Sequence, residues 1–476
     1  MRWSQVLLTS LFMAAVSTLF YVTSYDIYDG DCFNYSVIAR DILAGRRLYI
    51  DAWDNKPPLA YVFYMAAELV RPGSFAVLQT LLGVWLALGA LTFVHLTRPA
   101  NGAAFWLTAV FLAVFPVSTG YFVWASTENI VNPFALIQLA IALRVRERGT
   151  FTAYEALAVG ALMTTCFHIK QNTVLFGLVP LHDLLRSASR ADRCRALGFC
   201  AAGAVIAFVP LAGFIALTTD PHEYLNVTFL QPGKVATASS DWGALSLLRA
   251  FLGTELSIVL CLFTSWAIYR GPRSLVLLAV IISLVVCVSP NRPYAHYLTS
   301  LIPVAGMVIL ISLDREDLLH PPAIGVVLAL AMLSLPNAAR TLRGALKEDT
   351  TAKLSAVAHY VDAHSAPADR LLVIGPDAAA PYIYFASNVR HAHRIFWDGY
   401  FDGATSRLIP EPIETVLQEY QANPPTLFVV WRGEVEGPAR ESRPNSARLS
   451  CTLLESGTYS LIKTFDGIDV YRRSRS

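Results

Sequence analysis

Charge is scarce in this chain of 476 residues: Asp, Glu, Lys and Arg make up 15%, while hydrophobic residues make up 55%. Soluble globular chains carry about 25% charged residues, so a water-solvated surface around the whole molecule is excluded. Mean hydropathy is +0.47. Neither sign dominates, with 37 basic against 35 acidic residues and a net charge of +2, and bulk charge therefore points to no polyanionic or polycationic partner. The seven cysteines (Cys32, Cys166, Cys194, Cys200, Cys261, Cys287 and Cys451) lack metal-ligand spacing and read mostly as small core residues. Cys32 and Cys451, the two expected on the outer side, leave a bridge open without supporting it. A nucleotide-binding glycine loop is missing, since RLLVIG at 370–375 has one glycine and no GxGxxG. No internal repeat or low-complexity stretch is visible, which weighs against a repeat-built transporter.

Long apolar runs are abundant instead. Hydropathy predicts about eleven spans, near 5–23, 75–97, 102–119, 129–143, 153–169, 172–186, 196–218, 250–269, 274–290, 298–313 and 322–340. The first reads as a signal anchor beginning inside, because no small-x-small cleavage site precedes Tyr25. Arg98, Arg144, Arg146, Arg148, Arg186, Arg190, Arg193, Arg195, Arg270 and Arg273 fall in loops of one parity, cytoplasmic by the positive-inside rule. Residues 1–344 are then a membrane region with a first outer loop at 24–74, and 345–476 a small α/β domain outside. The tail reads as alternating elements: strands at 370–375, 426–431, 458–465 and 468–473, and an amphipathic helix at 411–422. Two interfacial helices are expected in the first loop. One runs from about Asn34 to Ala44, with Tyr35, Ile38 and Ile42 on its apolar stripe and Arg40 and Asp41 away from it. The other lies between Pro57 and Arg71, with Tyr61 and Tyr64 as headgroup-depth anchors.

The first loop, YDIYDGDCFNYSVIARDILAGRRLYIDAWDNKPP, crowds Asp26, Asp29, Asp31, Asp41, Asp51 and Asp54 with Arg40, Arg46, Arg47 and Lys56. Asp31 sits close to the end of the first span, where a carboxylate takes a proton from a hydroxyl, holds a cation, or caps the following helix. Pro57 restricts Lys56 to extended geometry and aims its ammonium, which favours phosphate over mere snorkelling. Lys170, in FHIKQN, lies on the side where cations are otherwise few and calls for an opposite charge. Glu128, in WASTENIVNP, either orients an acceptor or cation or caps the fourth span with Thr127. Arg292, His296 and Tyr297 cluster in SPNRPYAHYLTSLIP, and Lys234 lies in the long outer segment 219–241. His391 and His393 form an isolated His-x-His, read as surface residues and not metal ligands. The sequons at Asn34 and Asn226 read as chance occurrences.

On these residues the chain resembles the GT-C glycosyltransferases that use polyprenyl-phosphate sugars, in the branch of protein mannosyltransferase-like and aminoarabinose–lipid A transferase-like enzymes. The pattern is Asp31, Tyr35 and Arg40 (GDxxxYxxxAR), then Lys56-Pro57, Glu128, Lys170 and His296-Tyr297, over about residues 1–310. The resemblance implies a GT-C bundle and inverting sugar transfer from a polyprenyl-phosphate donor to a hydroxyl of a glycan, lipid or protein, outside the cytosol. It implies Asp31 as base, with Asp29 as its rival and Glu128 assisting. It also implies Lys56 and Lys170 as contacts to the donor phosphate. Tyr35, Arg40, His296 and Tyr297 of the same pattern, with Arg292 as a third positive group by its position, are the further candidate substrate contacts. A divalent cation is left open, with Asp31, Glu128 and His296 as donors; Asn55 stands where some relatives have an acid before the lysine. A transporter or flippase for a lipid-linked or anionic substrate, and a non-catalytic scaffold, are the alternatives.

Overall fold

The computed structural model describes residues 3–23, 30–99, 102–118, 125–187, 189–233, 243–252, 255–290, 295–313, 350–376, 379–402, 406, 409, 412–433 and 443–474. Asp29, Lys234, Arg292 and the expected span 322–340 lie outside them. The chain divides into two compact units. The first comprises Met1–Ile27, Ala76–Gly213 and Ser240–Glu348, and the second Tyr28–Phe75, Phe214–Ser239 and Asp349–Ser476.

The first unit is helical. Three described helices are long and apolar enough to cross a bilayer, Phe75–Thr97, Arg190–Thr218 and His296–Leu313, which makes this an integral membrane protein. Trp3–Thr23, Gly102–Ser118, Thr127–Arg148, Ala153–Ile169 and Arg273–Val288 form where spans were expected. The stretch 172–186 is instead a 3-10 run, Gln171–Gly177, followed by the short helix Leu178–Ser187. Helix boundaries follow local chemistry. Gly149 ends Thr127–Arg148 in the left-handed region (φ 71°), and Thr152 with Glu155 forms a capping box that starts Ala153–Ile169. Glu155 also pairs with Arg144 (3.6 Å) and with Arg148, drawing together two of the basic residues of that loop. The helices Ala153–Ile169 and Arg190–Thr218 approach through small residues: a Cβ on Gly160 would stand 1.8 Å from the Cys200 carbonyl, and one on Gly203 2.0 Å from that of Leu157. Membrane helices use such residues to bring backbones close.

The second unit contains a five-stranded sheet of β1 (Arg370–Ile374), β2 (Arg390–His391), β3 (Leu427–Trp431), β4 (Tyr459–Phe465) and β5 (Ile468–Arg473). The order is β2-β1-β3-β5-β4, with β1 parallel to β2 and β3, and β5 antiparallel to β3 and β4. The runs in β1 and β3 are almost wholly buried, as expected where both faces are covered, whereas β4 at the edge is largely exposed.

The first-loop segment is part of this unit, and here the expectation of surface helices is corrected. Gly30–Leu43 is a helix, but ten of its fourteen residues are buried, Asp41 among them. Phe33 packs on Tyr382 and Phe385, each at 5.1 Å between ring centroids. The polar stripe misled because its charges are matched inside the protein: Arg40 by Glu68, and Asp41 by Arg46 and His391. Pro58–Tyr61 forms a 3-10 turn leading into the helix Val62–Val70. Tyr61 and Tyr64 are fully buried, stacked edge-on around Tyr35, and are not headgroup anchors. His391 is likewise buried, against the expectation of a surface residue. It lies 2.6 Å from Asp41 and stacks on Phe396. Asn34 is fully buried too, which closes its sequon to a glycan.

Candidate active-site clusters

The expected site residues fall into two groups, one in each unit. In the second unit, Asp31 and Tyr35 are one turn apart on Gly30–Leu43, and the Tyr35 hydroxyl donates to Asp31 Oδ2 at 3.0 Å. Spacing i, i+4 puts both side chains on one helix face. Lys56 Nζ stands 5.7 Å from the Tyr35 ring centroid, within cation–π range, and donates to Asn55 Oδ1 at 2.9 Å. The loop holding the lysine is fixed from behind, since the Tyr49 hydroxyl donates to the Lys56 carbonyl at 2.6 Å. Lys56 is half-buried, and its ammonium forms no ion pair with any described residue.

Beside it lies Asp54, a residue the sequence left without a role. It is buried and accepts from the Tyr61 hydroxyl at 2.9 Å and from that of Tyr400. Burial raises its carboxyl pKa above the ordinary 3.8, while the Lys56 charge and the Tyr400 hydrogen bond pull the other way. Tyr35 and Tyr61 are pushed well above the usual phenol value, first by burial and then by neighbouring carboxylates, so both stay neutral donors. The only sequence signal for this network was the acid before two prolines; Tyr400 is 346 residues away.

Arg40 serves the scaffold. Its Nε donates to Glu68 at 3.1 Å, Nη1 to the Ser387 carbonyl at 2.6 Å and Nη2 to the Phe385 carbonyl at 2.5 Å. Glu68 in turn accepts from the Gly73 amide at 3.1 Å. Gly73 has φ 64°, and a Cβ there would stand 2.7 Å from the Phe385 carbonyl, so only glycine fits.

In the first unit, Glu128, Lys170, His296 and Tyr297 come together. Glu128 and Lys170 form an ion pair at 2% and 9% exposure. His296 Nε2 is 3.8 Å from the same Glu128 oxygen, and Lys170 Nζ lies 4.2 Å from the Tyr297 ring centroid. The N-cap of this helix is Ser126, whose hydroxyl accepts from the Asn129 amide, and Glu128 in the first turn accepts from the Thr127 hydroxyl at 3.2 Å. Lys170 is the extended residue (φ −155°, ψ 111°) that closes helix Ala153–Ile169, and Thr173 donates to its carbonyl at 2.6 Å. Thr299, in the same turn as His296 and Tyr297, is tied to helix Thr127–Arg148 by Asn132 Nδ2, 3.0 Å from its carbonyl.

Glu128 is already neutralised by Lys170, and among the described residues no three His, Cys, Asp or Glu side chains are grouped to hold an ion.

The sequence matches no family model and no curated protein. The fold does have counterparts. ArnT from Cupriavidus metallidurans, in its structure bound to undecaprenyl phosphate, superposes with a TM-score of 0.64 at 16% identity, covering 99% of this chain and 98% of ArnT. The arabinofuranosyltransferase AftD from Mycobacteria gives 0.53 at 14% identity, over 98% of this chain and 40% of AftD. The archaeal oligosaccharyltransferase AglB from Archaeoglobus fulgidus, in complex with an inhibitory peptide and a dolichol-phosphate, gives 0.50 at 11% identity, over 99% of this chain and 75% of AglB. The resemblance to the GT-C fold therefore holds for almost the full length of the chain.

Proposed function

We propose that this protein is a membrane glycosyltransferase that moves a sugar from a polyprenyl-phosphate donor to an acceptor hydroxyl on the extracytoplasmic side, with inversion. One observation carries the reading: Asp31 and Lys56 both approach Tyr35, the carboxylate at its hydroxyl and the ammonium within range of its ring. The lysine forms no ion pair with any described residue, the nearby Asp54 being bonded to Tyr61 and Tyr400. A base and a cation gathered on one tyrosine are what attack by a hydroxyl and departure of a phosphate require. Likeness to proteins solved with undecaprenyl phosphate or dolichol-phosphate supports the donor class.

In the proposed reaction the acceptor oxygen attacks the anomeric carbon as its proton passes to an Asp31 oxygen. The bond from that carbon to the phosphate oxygen breaks, and polyprenyl phosphate leaves with the electron pair. Lys56 stabilises the charge growing on that oxygen; one such contact lowers the barrier by about 3 kcal/mol, or two decades of rate. Tyr35 orients Asp31 through its hydrogen bond. Arg40 and Glu68 hold the helix that carries both, and the Glu128–Lys170 pair fixes the helix ends in the first unit, since the lysine's charge is already matched there.

The test is turnover of purified protein on a panel of lipid-linked sugars with wild-type and Asp31→Asn chains. Inserted, folded Asp31→Asn protein should transfer no sugar; turnover equal to wild type sinks the base assignment.

A further inference from the structure

A second basic cluster in the α/β unit has no part in the transfer reaction. Arg370 opens β1 and Arg390 opens β2, and the parallel register pairs the two directly. Like charges on neighbouring strands repel. Arg46, just past helix Gly30–Leu43, adds a third guanidinium and is held in place by buried Asp41. All three line one cleft of about 480 Å³.

The two carboxylates in the same cleft are already engaged. Asp362 accepts from the Asn388 amide at 3.0 Å and from its side chain at 3.3 Å. Asp369 accepts from the Ala366 amide at 2.8 Å and from Arg472 at 3.2 Å. Arg370 gives Nη1 to the carbonyls of Ala368 and Asp369. The Arg390 side chain makes no hydrogen bond or ion pair with any described residue. Burial, and then the charges of Arg390 and Arg46, draw the Arg370 pKa below its ordinary value. Arg46 is matched by Asp41 and Asp369 by Arg472, whereas Arg370 and Arg390, paired across the two strands, form no ion pair with any described residue. An oxyanion between them would relieve their repulsion, and planar donors suit phosphate oxygens.

We propose that the cleft lined by Arg46, Arg370 and Arg390 binds a phosphate group. Its source is either a free phosphate or the headgroup of a phosphate-bearing lipid. The proposal does not rest on the transferase reading, because these arginines lie outside the Asp31–Lys56 cluster. Loss of phosphate binding with sugar transfer retained, or the reverse, separates the two.

The experiment titrates the full chain in neutral detergent with inorganic phosphate in one arm and short-chain phosphatidic acid in the other, following heat and Tm. Wild type should bind at least one probe and melt higher with it. Binding of inorganic phosphate identifies the free source, and binding of phosphatidic acid alone identifies the lipid. Arg390→Gln should weaken binding about tenfold or more, and without anion it should melt no lower than wild type, because a repulsive charge is gone. Arg370→Gln is the second variant should the first not fold. Failure of both probes to bind wild type, or equal affinity in the folded variants, overturns the proposal.

Discussion

Each unit joins a carboxylate, a lysine and a tyrosine, and the two are wired in opposite ways. In the first, Glu128 and Lys170 bind each other in a buried site, with Tyr297 beneath the ammonium. In the second, Tyr35 contacts both Asp31 and Lys56, and the half-buried lysine forms no ion pair with any described residue. A matched buried pair is internally satisfied, and removing one member leaves the other uncompensated. An acid and a cation held apart keep their capacity for a ligand. Charge type alone does not separate structure from chemistry; the partner does.

Five substitutions break or sharpen this contrast. The largest effect is expected at Asp31, where Asn should abolish transfer without loss of insertion, read as turnover beside the yield of folded protein. Next is Glu128→Gln, which strands the Lys170 charge and should cost about 3–5 kcal/mol of stability. Adding Lys170→Met should restore much of the loss, and a denaturation series on both variants measures it. Lys56→Ala should do the converse: about two decades of turnover lost, with a stability loss smaller than that at Glu128, since the half-buried lysine forms no ion pair with any described residue. Equal stability losses at Lys56 and Glu128 would erase the distinction.

The smallest effect concerns Asp54. Its folded pKa lies above the unfolded value of 3.8, so the folded state binds the proton more tightly. Its contribution to stability is fully present below 3.8 and is lost as pH rises through the folded value. Asp54→Asn removes that titration, so the difference in Tm between variant and wild type should shift in the variant's favour as pH rises. A difference that is flat with pH refutes it.

What was legible in the sequence was local. The tail strands fall within a residue or two of their expected places, because their apolar runs and turn residues carry the signal themselves. Asp31 and Tyr35 are one helical turn apart and could be paired from spacing alone. Glu128 and Lys170 were each flagged, but 42 residues separate them and nothing in either segment names the other. Polarity misled most in the first loop. Arg40, Asp41, Tyr61 and Tyr64 read as a solvent- or lipid-facing set, yet all four are engaged inside the unit: Arg40 and Asp41 through residues that come more than 300 positions later, Tyr61 and Tyr64 through Asp54 and Tyr35 of the same loop. Amphipathic periodicity reports polarity, and a buried polar network produces the same pattern as a wet surface.

That long reach has a consequence for how the protein is made. Arg40 waits for the carbonyls of Phe385 and Ser387, Asp41 for His391, and Asp54 for Tyr400, with sequence separations of 345 to 350 residues. At roughly 5–20 residues per second, the segment bearing Asp31 leaves the ribosome many seconds before its partners exist. Until then Arg40 and Asp41 have only Glu68 and Arg46 as partners, and a chain truncated after the membrane region should keep those local pairs but lack the contacts to His391 and Tyr400 that lock the loop.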